Sequence, residues 1–162
     1  VLSEDCKKYI FSKQDALSIA RYIRLDFDEV KGVKSGDAIP THYNIEVYNR
    51  GKNSIQDVQI KYTLYYTQGN LNKGGSDRKT ATGTLSSGKI YDSDSVTLPT
   101  QSISIVRKSK PASGGGWCGP NVPGGRRVDS MTGVVVDVIV DGEIVRTESS
   151  NRALLTKALK NR

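Results

Sequence analysis

The chain has 162 residues, of which 36% are hydrophobic and 25% are charged, and its formal net charge is +7. These values are typical of one globular domain that can bury a full hydrophobic core. Since the sequence begins without Met and has no run of 18 consecutive apolar residues, we expect neither a signal peptide nor a membrane span in it. Because the chain begins with Val1 rather than Met, we expect a processed or trimmed protein.

A short N-terminal helix is the first predicted element. Ser12 can cap its first turn, and Asp15 lies where the helix dipole favours negative charge. Leu25 and its charged neighbours then alternate, which predicts a first strand that ends near Gly32. The apolar stripe of the helix is predicted to consist of Ala16, Ile19, Ala20 and Ile23.

Two stretches of strict apolar and polar alternation flank the turn-rich residues 49–51. A period of two places alternate side chains on opposite faces of a strand, so each stretch predicts a strand that is buried on one face. Such half-buried strands are typical of a two-layer all-β domain. The apolar positions are Tyr43, Ile45, Val47, Val58, Ile60, Tyr62 and Leu64.

Short strands divided by loops follow. Glycine and asparagine dominate residues 69–77, which predicts a flexible loop. Runs rich in Thr, Val and Ile predict strands at 80–85, 95–100 and 102–106, whose pairing order the sequence leaves open. The segment 111–125 is too rich in glycine and proline for a regular element, and it lacks the Gly-Lys-Ser/Thr ending of a phosphate-binding loop.

The last hairpin is predicted by Asp141 and Gly142, because both central positions of a two-residue turn need positive φ. A regular register then places Asp137 opposite Arg146, which predicts a cross-strand charge pair. The other predicted pairs are Val140 with Glu143, Ile139 with Ile144, and Val138 with Val145.

Both faces of this hairpin carry apolar residues. The outward face is unusually apolar, so we expect a helix, a loop or another protein to cover it. Its residues are Val135, Ile139 and Ile144, and those predicted for the core face are Val136, Val138 and Val145.

A short amphipathic helix capped by Ser149 or Ser150 is predicted after the hairpin. It either packs on its own domain or docks to an acidic partner or a membrane surface. We therefore divide the chain into an N-terminal segment 1–24, an all-β sandwich 25–149 and a basic helical tail 150–162. The apolar side of the helix consists of Leu154, Leu155, Ala158 and Leu159.

Cys6 and Cys118 are the two cysteines. In an exported protein their pairing would close a loop of about 100 residues, which is worth roughly 4 to 5 kcal/mol in the chain-entropy model. The alternative is two buried or free thiols, because spacing alone does not show pairing. No Cys-x-x-Cys motif or Cys/His cluster points to a redox or metal site. We favour the disulfide.

Trp117 is the only tryptophan and lies beside Cys118 in the glycine-rich segment. It either folds back onto the sandwich as a packed side chain or forms an exposed tip that contacts a partner. The sequence leaves both alternatives open, and Trp117 is therefore a candidate interaction residue.

Little catalytic or metal-binding chemistry is visible. His42 is the only histidine, so no histidine cluster can form a zinc site. The acidic groups 26–29 and 92–94 lack the spacing of an EF-hand loop. We predict no enzyme activity, no metal and no cofactor; a hydrolase with paired carboxylates is a weaker alternative, since carboxylate separation depends on the fold.

The excess positive charge is concentrated in the 107–128 loop and the 150–162 tail, neither of which contains an acidic residue between its basic ones. Such patches either bind a polyanion or acidic partner, or are solvated charge that aids solubility. The candidate interaction residues are Arg107, Lys108, Arg126, Arg127, Arg152, Lys157 and Lys160.

Several short motifs between residues 25 and 151 resemble the CARDB-like branch of immunoglobulin-like domains, which are extracytoplasmic adhesion-type modules of bacteria and archaea. The resemblance implies a seven-stranded Greek-key sandwich used for binding or as a spacer, without catalysis; related folds occur in pilus-associated surface proteins. The motifs are IEVYNRG at 45–51, VQIKY at 58–62, GTLSSG at 83–88, VDV at 136–138 and ESSN at 148–151.

Two functional hypotheses follow. The first is an extracytoplasmic (periplasmic, outer-surface or secreted), non-enzymatic immunoglobulin-like module that binds a protein partner in cell-surface, adhesion or pilus-like assembly. The alternative is polyanion or nucleic-acid binding through the basic loop and tail, which is expected to depend strongly on salt.

Overall fold

The computed structural model describes residues 16–112 and 123–161. Within these ranges the chain forms nine strands, a helical segment at 16–20 and a C-terminal helix, Arg152–Lys160. The strands are β1 (Ile23–Lys31), β2 (Ala38–Asn49), β3 (Gln59–Gly69), β4 (Ser76–Ser86), β5 (Ser95–Pro99), β6 (Ile103–Lys110), β7 (Gly125–Val128), β8 (Ser130–Val140) and β9 (Glu143–Ser149).

Two antiparallel sheets pack as an immunoglobulin-like sandwich, which confirms the predicted fold class. One sheet has the order β1-β2-β6-β7, with β5 also paired to β2, and the other has the order β4-β3-β8-β9. Both β5 and β6 pair with β2, along different parts of that strand. The chain changes sheets between β2 and β3, between β4 and β5, and between β7 and β8, so the core forms between sheets that alternate along the sequence.

The alternating stretches of the sequence form β2 and β3, and their apolar residues are buried as predicted. Ile45 and Val47 on β2, and Ile60 and Leu64 on β3, are fully buried. Since β2 and β3 belong to different sheets, their inward faces meet across the sandwich and supply much of its core. Beside β3 in the same sheet, β8 adds the buried residues Val134, Val136, Val138 and Val140 to this core.

Tyr62 explains why a glycine stands opposite it on the neighbouring strand. Gly83 pairs with Tyr62, and a Cβ atom at this glycine would overlap the tyrosine ring and hydroxyl. The hydroxyl also accepts a hydrogen bond from the backbone N–H of Gln101 at 3.1 Å, which links the two sheets. The glycine therefore provides space for an aromatic side chain that ties the sheets together.

The glycine-rich residues predicted as a long loop form a tighter hairpin. β3 and β4 stay paired up to Gly69 and Ser76, so only 70–75 form the connection. The Asn70 side chain accepts hydrogen bonds from the backbone N–H groups of Asn72 and Lys73, each at 3.0 Å. A side-chain turn of this kind keeps the loop compact and extends both strands.

The predicted pairs of Val140 with Glu143 and of Ile139 with Ile144 are confirmed, but the register predicted for the rest of the last hairpin is wrong. Asp141 and Gly142 have φ values of 51° and 78°, as the predicted turn requires. A β-bulge between Val138 and Ile139 then places Arg146 opposite Val138 rather than opposite Asp137. The predicted pairs of Asp137 with Arg146 and of Val138 with Val145 are therefore not formed.

The bulge gives Arg146 a different role from the predicted charge pair. Its guanidinium donates hydrogen bonds to the carbonyl oxygens of Ala20, at 3.2 Å, and Ile23, at 2.6 Å, and pairs with Glu148. Asp137 instead accepts a hydrogen bond from the Thr147 hydroxyl at 2.7 Å. Arg146 thus anchors the segment that enters β1 to the edge of the other sheet.

Among the described residues, cover on the outward face of the hairpin is found at one end. The C-terminal helix packs against β8 and β9, and Val135 is buried. Ile139 is half-buried, but Ile144 remains 56% exposed. No helix within the described ranges is long and apolar enough to cross a membrane.

Candidate interaction surfaces

The basic residues predicted as one loop patch lie on a two-stranded ribbon, β6 and β7. Lys108 lies opposite Arg127, and Ser109 lies opposite Arg126. Because side chains alternate along a strand, Lys108 and Arg127 project from one face of the ribbon, and Arg107 and Arg126 from the other. The ribbon therefore divides the basic cluster between two faces.

Arg127 is engaged in a structural ion pair. Its Nε and Nη2 atoms donate to the two carboxylate oxygens of Asp129, at 3.1 and 3.0 Å. The same carboxylate accepts hydrogen bonds from the backbone N–H groups of Gly69, at 2.8 Å, and Val106, at 3.0 Å. Asp129 is only 2% exposed, so this network joins β3, β6 and β7 in the interior.

The environment of Asp129 shifts its titration. Burial alone would raise the pKa of this carboxyl, but the hydrogen bonds from Arg127, Gly69 and Val106 outweigh it and lower the pKa below the ordinary value. The same hydrogen bond raises the pKa of Arg127. Asp129 therefore stays ionised as the anchor of Arg127, which has little freedom to contact a ligand.

A different basic surface lies on the outer side of the β4-β3-β8-β9 sheet, beside the C-terminal helix. It is a groove of about 540 Å³, which we call the helix groove. A volume of this order suits a small molecule or one unit of a polymer. Its lining residues are Tyr65, Tyr66, Thr67, Arg78, Lys79, Thr80, Thr132, Asn151, Ala153, Leu154 and Lys157.

Three strands and the helix supply the walls of the helix groove. The helix packs against β8 and β9, and β4 forms the far edge of the sheet, so β3 runs between the two walls. Tyr65 pairs with Thr80 and Thr67 pairs with Arg78 across β3 and β4. The tyrosines of β3 consequently lie between a basic strand and a basic helix.

A glycine and a bulge allow the helix to approach the sheet here. A Cβ atom at Gly133 would lie within 3 Å of both the Ser150 hydroxyl and a methyl group of Leu154. The β3–β8 register also shifts between Tyr65 and Tyr66, opposite Gly133 and Met131, which leaves Thr132 as the extra residue. The close contact and the bulge together shape the helix groove.

The helix begins one residue later than predicted. Asn151 is its N-cap, and its side chain accepts a hydrogen bond from the backbone N–H of Ala153 at 2.9 Å. Ser149 and Ser150 instead bind β8: the Ser149 hydroxyl donates to the Val134 carbonyl at 2.8 Å, and the Ser150 hydroxyl accepts from the Val134 N–H at 3.0 Å. The two serines dock the start of the helix on the sheet.

The three basic residues predicted in the tail are all exposed on the C-terminal helix, but only one lines the groove. Lys157 follows Ala153 and Leu154 on the stripe that faces β3. Arg152 and Lys160 are exposed on the same helix without being part of the lining. The helix contributes one cation to the groove and two to its surroundings.

Charge in the helix groove is uncompensated. Arg78, Lys79 and Lys157 line it, and its lining contains no acidic residue. Within 16–112 and 123–161, none of the three forms an ion pair or a side-chain hydrogen bond. The cationic groups are therefore available to an anionic ligand.

The groove residues on β3 and β4 were not predicted as a site. Tyr65 and Tyr66 follow the alternating stretch that ends at Leu64, and Arg78 and Lys79 lie between the predicted loop and the next predicted strand. The signal that could have found them is two adjacent tyrosines followed by two adjacent cations across one hairpin. Only the pairing of β3 with β4 brings these dipeptides together.

Cys6, Cys118 and Trp117 lie outside the described residues, so their predicted pairing and contacts stay predictions. His42 lies on β2 at hydrogen-bond distance, 3.1 Å, from the Asn44 side chain. In the described part of the chain, no three His, Cys, Asp or Glu side chains form a group that could hold a metal ion.

Comparisons with known protein families, with curated proteins and with solved structures found no significant match to this chain. The resemblance to CARDB-like domains therefore stays a hypothesis drawn from short motifs. Function has to be argued from the surfaces that the sandwich presents.

Proposed function

We propose that this protein is a non-enzymatic, extracytoplasmic binding module of immunoglobulin-like fold that takes part in cell-surface, adhesion or pilus-like assembly. The observation that carries the proposal is the helix groove, whose lining includes Arg78, Lys79, Lys157 and two tyrosines but no acidic residue. The strands of such a sandwich form a rigid support, on which an exposed groove is a site for recognition.

The short motifs that resemble CARDB-like domains support the extracytoplasmic part of the proposal. The two cysteines, Cys6 and Cys118, support it as well. A disulfide between Cys6 and Cys118 would be stable only in an oxidising compartment. A protein partner at the cell surface would find apolar area at Ile144, which is 56% exposed beside half-buried Ile139. This end of the hairpin is a second contact area beside the helix groove.

The experiment combines location and redox state. Intact cells are treated with a membrane-impermeant amine reagent, and the protein is then isolated with thiols blocked and weighed by mass spectrometry without reduction. We expect labelled lysines and a mass lower by two hydrogens than that of the reduced protein. An unlabelled protein with two free thiols would overturn the extracytoplasmic assignment.

Polyanion binding is the second candidate, and two observations support the helix groove as its site. Arg127 is held by Asp129, and the β6–β7 ribbon divides the remaining cations between two faces. The helix groove instead brings Arg78 of β4 and Lys157 of the tail into one lining. An anionic ligand is therefore favoured at the groove over the 107–128 loop.

A further inference from the structure

The helix groove contains two kinds of chemistry that point to a class of ligand. Cations line two sides, Arg78 and Lys79 from β4 and Lys157 from the helix. Exposed hydroxyl groups of Thr80 and Thr132 lie among them. A ligand for this groove must carry negative charge together with several hydrogen-bonding groups.

The tyrosines add the third requirement. Tyr65 and Tyr66 are both half-buried and line the groove, so part of each aromatic side chain is fixed by the protein and part is open to a ligand. Aromatic rings present an extended apolar face next to a polar hydroxyl. The C–H face of a sugar ring stacks on such a surface while its hydroxyls reach polar neighbours.

We propose that the helix groove binds an acidic saccharide, meaning a carboxylated or sulfated sugar. Arg78 and Lys157 pair with its anionic groups from opposite walls, and Tyr65 stacks against a sugar ring. The inference rests on the proposed binding role of the module, and it adds the ligand class.

A nucleic acid is the less suitable ligand for this arrangement. Single-stranded nucleic acids are bound along a groove whose cations follow successive phosphates, with bases stacked on exposed aromatic faces. In the helix groove the cations come from two facing walls, and the tyrosines are half-buried. Hydroxyl and amide groups line much of the remaining surface of the groove.

The test is calorimetric titration of the whole protein at low salt with a heparin-derived tetrasaccharide, trigalacturonic acid, neutral maltotriose and a short oligothymidylate. We expect binding of one or both acidic saccharides and none of maltotriose. In a parallel NMR titration with the bound saccharide, the amide chemical shifts of residues 65–67, 78–80 and 151–157 should change. Arg78→Gln or Lys157→Gln should each weaken binding by about tenfold, the effect of losing one charge-assisted hydrogen bond.

Matched variants separate the groove from overall charge. Lys34→Gln removes the same charge at an exposed position outside the groove lining and should change the affinity by less than about twofold. Tyr65→Phe keeps the ring and should bind nearly as well as the original protein, whereas Tyr65→Ala should bind clearly more weakly. Equal losses of affinity for Lys34→Gln and Lys157→Gln would contradict the assignment of the helix groove as the binding site.

Three further outcomes would overturn the inference: no binding of either acidic saccharide, equal binding of maltotriose, or tighter binding of the oligothymidylate through Arg78 and Lys157. The cell-surface labelling result is independent of these measurements. A labelled, disulfide-bonded protein that binds no acidic saccharide would refute the ligand class and leave the proposed surface role intact.

Discussion

Buried polar side chains in this protein tie loops and sheets together. Asn49 is 2% exposed, and its amide group donates to the carbonyl oxygens of Asn53, Ile90 and Tyr91 at 2.8 to 3.2 Å. Its carbonyl oxygen accepts from the backbone N–H of Gly51 at 3.0 Å. One side chain therefore ties the end of β2 to backbone groups of two neighbouring loop segments, 51–53 and 90–91.

Asp129→Asn tests the corresponding network around the buried carboxylate. The variant leaves Arg127 without its counter-ion and turns an amide N–H₂ toward a backbone N–H or the guanidinium. We therefore expect the free energy of unfolding to fall by about 3 kcal/mol at neutral pH. Urea denaturation measures the loss. Asp92→Asn, at an exposed turn, is the matched control and should cost less than about 0.5 kcal/mol.

The pH dependence of that loss has a defined direction. The pKa of Asp129 is lower in the folded state than in the unfolded state. Its contribution to the free energy of unfolding is therefore fully present above the unfolded pKa of about 4, and it is lost as the pH falls through the folded pKa. The difference in unfolding free energy between the original protein and Asp129→Asn should therefore shrink in acid. A difference that stays constant down to pH values below about 3 would contradict the ionised network.

At the scale of elements, turns and bulges decide where side chains point. The Asp141-Gly142 turn is local and was predicted, but the bulge at Val138 and Ile139 moves Arg146 and Thr147 by one position. Because a shift of one residue changes the face of every later side chain, Arg146 reaches Ala20 and Ile23 instead of Asp137. The bulge thus links the last hairpin to the first strand.

Gly142→Ala tests the turn alone. Gly142 has φ of 78° and nothing within 4 Å of an added Cβ, so the cost should come from backbone strain and be about 1 kcal/mol. Gly142→Asn should cost less, because asparagine tolerates this conformation. Equal destabilisation by both variants in denaturant unfolding would mean that strain at φ is not the cause.

For the whole molecule, the strands form the core and the C-terminal helix forms a surface. No residue of the helix is fully buried, whereas Ile45, Ile60 and Val136 lie at the centre of the sandwich. The helix is therefore expected to add little to folding and to contribute mainly to the groove that it borders with β3 and β4.

A chain that ends at Asn151 tests this division of roles. We expect it to fold with the strand signal of the full protein in far-UV circular dichroism, and to unfold cooperatively with a loss of about 1 to 3 kcal/mol, because Gly133 and Val135 lose their cover. Binding at the helix groove should be abolished. An unfolded truncated chain would contradict the expectation that the strands alone carry the core.

Much of the strand content could be predicted because alternation is a local property. Tyr43 to Val47 and Val58 to Leu64 show in sequence which side chains face inward, and all of these apolar residues are buried. The candidate site could not be predicted in the same way. Tyr65 and Arg78 lie on one hairpin, but Lys157 comes from a distant part of the chain, and the sequence carries no information about its approach to that hairpin.

The sequence by itself determined the all-β class, the inward faces of β2, β3 and β8, the Asp-Gly turn and the amphipathic C-terminal helix. Each follows from the chemistry of neighbouring residues along one element. Only the tertiary structure decided the strand order, the bulges, the capture of Arg127 by Asp129 and the helix groove. These features depend on contacts between residues far apart in the chain. Such contacts contribute free energy only after the two sheets have packed together.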